Sequence, residues 1–87
     1  EFENNILNII KLEFPEEVKL FKTNFEEKKY NEASSNIHKI KHKISLLGLK
    51  KGLETASAYE IELKEGNIKL HSNFIEILDK IHVYLSN

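Results

Sequence analysis

Residues 31–48, NEASSNIHKIKHKISLLG, decide how this chain is read. Ala33, Ile37, Ile40, Ile44 and Leu47 recur at intervals of 4, 3, 4 and 3, which sets all five on one face of an α-helix. Charged and polar residues fill the gaps, so the segment has an apolar seam and a solvated back. Gly48 follows the last seam residue directly, where helices often end in a left-handed residue. No segment between turn signals alternates cleanly enough to read as a strand.

The same reading extends in both directions. From Leu49 to about Glu65, Gly52, Ala56, Tyr59 and Leu63 share a face with Leu53 beside them, and Gly66-Asn67 closes the helix. The small residues in that face predict a close approach to the helix before it. A last helix from about Lys69 to Leu85 is expected to bury Phe74, Leu78, Ile81 and Leu85, with Ile77 and Tyr84 widening the stripe. On the N-terminal side, Pro15 suits the first turn of a helix, where its missing N–H costs nothing, and Glu16 and Glu17 favour a positive helix start. Val18, Phe21 and Phe25 give that helix its buried stripe. Ahead of Pro15, a separate piece from about Glu3 to Lys11 carries Ile6, Ile9 and Ile10 on one side. The expected fold is all-α: an antiparallel four-helix bundle with a short additional N-terminal helix as a lid.

Composition sets the bounds. A chain of 87 residues with 40% apolar content supplies one modest core and not two, so residues 1–87 are read as a single domain. The missing initiator Met marks it as a piece expected to come from a longer chain. Thirteen Lys against 14 acidic residues leave a net charge of -1, so any electrostatic argument must be local. There is no cysteine, which excludes disulfides and thiolate metal sites and fits a reducing compartment. No apolar run approaches the roughly 18 residues a membrane span needs, and the start lacks the features of a signal peptide. The expected location is cytoplasmic, as a free protein or as the cytoplasmic part of a larger membrane sensor.

Chemistry concentrates on the 31–48 helix. His38 follows seam residue Ile37, about 100° around the helix, so it flanks the core rather than filling it. Ser34, Lys41, His42 and Ser45 fall on the same flank at helical spacings from it, with Lys39 beside them. Imidazole titrates near pH 6.5, leaving a nucleophilic nitrogen at neutral pH, and Lys41 is placed to offset an incoming phosphoryl charge.

These residues resemble the signature of the histidine-containing phosphotransfer domains of bacterial multistep phosphorelays. That signature reads His, any residue, apolar, Lys, Gly, then small residues, then an apolar-Gly pair. His38, Ile40, Lys41, Leu47 and Gly48 stand in their places, Ser45 takes a small-residue place, and Ala56 and Tyr59-Glu60 match further on. The resemblance covers about Glu32 to Glu62 and departs at His42, where the family usually has Gly, and at Lys43, where it has a small residue. His42 adds bulk one turn from His38, or substitutes as a phosphate contact. The resemblance implies that His38 accepts a phosphoryl group from a receiver-domain phospho-aspartate and passes it to another receiver aspartate. It also implies that Lys41 stabilises the phosphate charge; Ser34, Lys39, His42 and Ser45, from their places around His38, are expected on the partner surface. Such a carrier is not an enzyme in its own right and holds no cofactor; Mg²⁺ and the acidic pocket belong to the receiver. Expected partners are response-regulator receiver domains and a hybrid sensor histidine kinase, met by a monomer that binds neither nucleic acid nor membrane.

Plainer readings compete with each feature. His38 alone would be an ordinary surface histidine, and His38 with His42 lacks the third and fourth ligands of a metal site. Lys39 to Lys51 holds five lysines and no acid, yet the chain has no Arg and this run has no stacking aromatic, which disfavours nucleic acid. The only Asp, Asp79, lies in another helix among core positions, so no Ser-His-Asp arrangement is available. His71 and His82 read as surface or boundary histidines. The rival function is a non-catalytic helical interaction module on the same bundle, and His42 is the residue that makes it credible.

Overall fold

The computed structural model of the chain describes residues 2–86, with side chains placed from Asn5 onward; Glu1 and Asn87 lie outside the described residues. Within them the protein is all helical: α1 spans Phe2–Glu26, α2 Tyr30–Leu46, α3 Lys50–Lys64 and α4 His71–Ser86, with no strand. The molecule measures 41 × 23 × 18 Å, and the long dimension is about what 25 helical residues reach at roughly 1.5 Å each. α2 packs against α1 on one side and α3 on the other, while α4 meets α3 and α1. No helix among the described residues is long and apolar enough to cross a membrane.

The apolar stripes expected from periodicity meet in one core. Ala33, Ile37, Ile40 and Ile44 of α2, Ala56, Tyr59 and Leu63 of α3, and Phe74, Leu78, Ile81 and Leu85 of α4 are all buried. Ile10, Phe14 and Phe21 come from α1, with Ile6, Val18, Phe25, Leu47, Leu53 and Ile77 packed at the edge. Ile9 and Tyr84 face solvent instead of widening the stripe, and Asp79 is exposed rather than placed among core positions. Gly48 and Gly66 close α2 and α3 with φ of 74° and 80°, a backbone that a Cβ would strain.

The N-terminal region departs from expectation. Residues 2–26 form a single helix that runs through Pro15, so there is no separate lid helix. Proline forfeits the bond to the Lys11 carbonyl and crowds it, a cost of about 3 kcal/mol. Lys11 and Pro15 are both exposed, however, and water is free to take that carbonyl. Ile10 and Phe14 lie on the same stripe as Val18, Phe21 and Phe25. Burying side chains of that size contributes about 1.5–3 kcal/mol each, so continuing the helix outweighs the local defect.

Two polar features tie α1 into the bundle. The buried Lys43 ammonium lies 2.9 Å from Glu13 and 3.2 Å from Glu17; burial disfavours its charge, but the two carboxylates more than offset that and raise its pKa. Asn24 donates to Asn36 at 2.6 Å. At the other end of the core, His71 lies flat on Phe25, ring centroids 3.7 Å apart, with its Nδ1 2.7 Å from the Tyr59 hydroxyl. Burial first, then the positive charge of Lys22, pushes the His71 pKa down, so of the two expected places the half-buried ring takes the boundary, against the aromatic cluster.

At Gly52, α3 packs closely against both α4 and α2. A Cβ there would sit 3.3 Å from the Ile77 methyl of α4 and 3.4 Å from that of Ile44. Gly52→Leu should therefore push α4 away and cost about 1–3 kcal/mol, read as a lower urea midpoint. A midpoint equal to wild type would mean that this contact does not set the spacing.

Candidate functional site

The candidate site forms where the flank of α2 meets α3. Ser34 opens the contact. It is fully buried, and its Oγ donates to the backbone carbonyl of Glu60 at 2.8 Å. This corrects its expected place on the partner surface: a small side chain one turn before His38 lets α3 come close, and its hydroxyl is spent on the α3 backbone. That bond also fixes the height of α3 against α2, which sets the Glu60 side chain beside His38.

Glu60 then joins the two residues singled out on α2. Its Oε2 lies 3.2 Å from His38 Nδ1, and its Oε1 lies 2.9 Å from Lys41 Nζ. At that distance the contact of Oε1 with Lys41 is a close ion pair. The carboxylate side chain is 14% exposed, whereas the His38 side chain is 67% exposed. Burial would raise the Glu60 pKa, but the nearby Lys41 ammonium and then His38 outweigh it, and the carboxyl is held below its ordinary value. An ionised carboxylate only accepts hydrogen bonds. An imidazole that donates to it does so from Nδ1, and in its neutral form such a ring keeps its lone pair on Nε2.

What the arrangement offers chemically is a solvent-accessible imidazole whose Nδ1 faces a carboxylate, so that the carboxylate can meet positive charge as the ring forms a bond. An orienting carboxylate plays the same part behind the histidine of hydrolase triads. Lys41 is half-buried and committed to Glu60, so its first task is to anchor that carboxylate. Lys39, His42 and Ser45 are exposed on α2, and no contact ties His42 to His38. Gly48 terminates the helix well away from the cluster. Of the five lysines between 39 and 51, Lys41 and Lys43 are paired with acids from α3 and α1, which leaves the basic surface to Lys39, Lys50 and Lys51. Among the described residues no three His, Asp or Glu side chains are grouped to hold a metal ion.

Sequence reasoning missed Glu60 as a site residue. Its signal was present in the acidic place after Tyr59, but only the α2–α3 packing turns a separation of 22 residues into a contact. No family model matches the chain, and no curated protein or solved structure is similar enough to place it in a family.

The electrostatics of the cluster are measurable by NMR titration of the Glu60 side-chain carboxyl. Its folded pKa lies below the ordinary 4.5, so its ionised form stabilises the fold above that pH, and the contribution is lost as pH falls through the depressed value. Lys41→Met should move the titration upward. An unchanged midpoint in that variant would show that Lys41 does not control the carboxylate.

Proposed function

We propose that this chain is a phosphotransfer carrier, with the Nε2 nitrogen of His38 as the phosphoryl acceptor. The observation that carries this reading is the exposed His38 imidazole with its Nδ1 against the Glu60 carboxylate, which Lys41 anchors in turn. An unanchored surface histidine would have neither a fixed tautomer nor a counter-charge. In the forward step the Nε2 lone pair attacks the phosphorus of a receiver phospho-aspartate. The N–P bond forms as the acyl P–O bond breaks, and the aspartate leaves as a carboxylate. The ring becomes positive and Glu60 offsets that charge; the reverse step onto a second receiver restores the neutral ring.

The likeness of residues 32–62 to histidine-containing phosphotransfer domains supports the same reading, as does a four-helix arrangement whose short connections at 27–29, 47–49 and 65–70 suit antiparallel neighbours. Under this proposal the chain is a monomeric cytoplasmic domain without catalytic activity of its own. Its partners are response-regulator receivers and a hybrid sensor kinase, and the Mg²⁺ ion and acidic pocket belong to the receiver. Lys39, His42 and Ser45 form the rim that meets the receiver, where lysine steers an acidic face. The non-catalytic interaction module is the weaker reading, because the bulk of His42 leaves the His38 ring open to solvent.

Incubation with Mg²⁺ and phosphorylated receiver domains tests this. Wild type should take up acid-labile, base-stable phosphate, His38→Gln none, and Glu60→Gln should label about 10–100-fold more slowly through loss of the orienting charge. Equal labelling of His38→Gln would move the acceptor elsewhere, and no uptake by folded wild type from any receiver would favour the interaction module.

A further inference from the structure

A concavity lined mainly by apolar side chains lies away from His38. It is a groove of about 600 Å³ between the α2–α3 turn and the C-terminal half of α4. Its walls are apolar: Leu47 and Leu49 come from the turn, Ile77, Ile81 and Tyr84 from α4. Buried Gly52 lies at its base, packed against Ile77. The only charged residues lining it are lysines, Lys50 and Lys51 on the α3 rim and Lys80 on the α4 rim. The first turn of α3 contains no acidic residue to offset them, and Lys80 has only a loose, exposed contact with Glu76 at 3.8 Å.

We propose that this groove docks an acidic amphipathic helix of a partner protein. Three features select that occupant. The groove is open, with Leu49 41% and Tyr84 62% exposed, so a small ligand would keep much of its surface in water, unlike the enclosure typical of small-molecule sites. A trough between two helical rims takes a helix whose apolar residues recur at i, i+3 or i+4 and i+7. Lysines stand on both rims, so the complementary helix carries Asp or Glu on both sides of its apolar stripe. Exposed large side chains flanking an unfilled apolar wall are the usual mark of an interaction surface. The groove shares no residue with the His38 cluster, and the inference does not depend on the phosphotransfer reading.

The test is titration of the ¹⁵N-labelled domain with a synthetic helix bearing a leucine stripe flanked by glutamates, with a lysine-flanked copy as control. The account expects amide shifts confined to residues 47–52 and 77–84. It also expects binding to weaken with salt, to be absent for the control, and to fall at least about tenfold in a Lys50→Glu, Lys51→Glu, Lys80→Glu variant. His38→Gln should bind like wild type. No shifts, shifts centred elsewhere, or equal binding of both helices would overturn the proposal, and these outcomes need only the wild-type protein. Vesicles containing phosphatidylglycerol that shift the same residues when the acidic helix does not would overturn it in favour of a lipid surface.

Discussion

Everything at the candidate site depends on the register between α2 and α3, and one hydroxyl fixes that register. Ser34 is buried and donates to the Glu60 carbonyl at 2.8 Å, so α3 cannot slide along α2 without leaving a buried hydroxyl unpaired, at about 1–3 kcal/mol. With that height set, the Glu60 carboxylate falls between His38 and Lys41. The apolar layers on either side, Ile37 and Ile40 against Ala56, Tyr59 and Leu63, hold the same register by shape. Packing and polar geometry therefore agree on a single arrangement, which is what a preorganised imidazole requires.

The charges are arranged so that His38 remains the accessible group. Lys41 and Lys43, two residues apart on α2, turn to opposite neighbours: Lys41 reaches Glu60 on α3, and Lys43 reaches Glu13 and Glu17 on α1. Two of the five lysines in the stretch that looks uniformly basic in sequence are thus paired, one from each side. Of the unpaired lysines in that stretch, Lys39 stays beside His38, while Lys50 and Lys51 lie at the start of α3 beside the apolar groove.

How much of this was legible in the sequence varied with the range of the interaction. Ile37, Ile40 and Ile44 could be placed on one face because helical periodicity is local, and Gly48 and Gly66 announced their positive φ angles because few other residues adopt them. Pro15 misled for the complementary reason. Its local rule says stop, and only the tertiary burial of Ile10 and Phe14 overrides it. The continuous stripe of Ile10, Phe14, Val18, Phe21 and Phe25 was visible in the sequence but lost to the stronger punctuation. Ser34, Glu60, Lys43 and His71 depend on partners 12 to 26 residues away. Nothing in a one-dimensional pattern says which flank of α2 faces α3, so Ser34 read as a surface hydroxyl, and the aromatic contacts of His71 were not foreseen.

The claim at the centre of this account is that Glu60 holds His38 with its proton on Nδ1 and its lone pair on Nε2. The most direct measurement is ¹⁵N NMR of the imidazole nitrogens, first in the free domain near neutral pH and then after phosphorylation. The account predicts a protonated Nδ1 in the neutral ring, followed by phosphorus coupling to Nε2 of His38 alone. A proton on Nε2 in the free domain, or phosphate on Nδ1 or on another histidine, would contradict it.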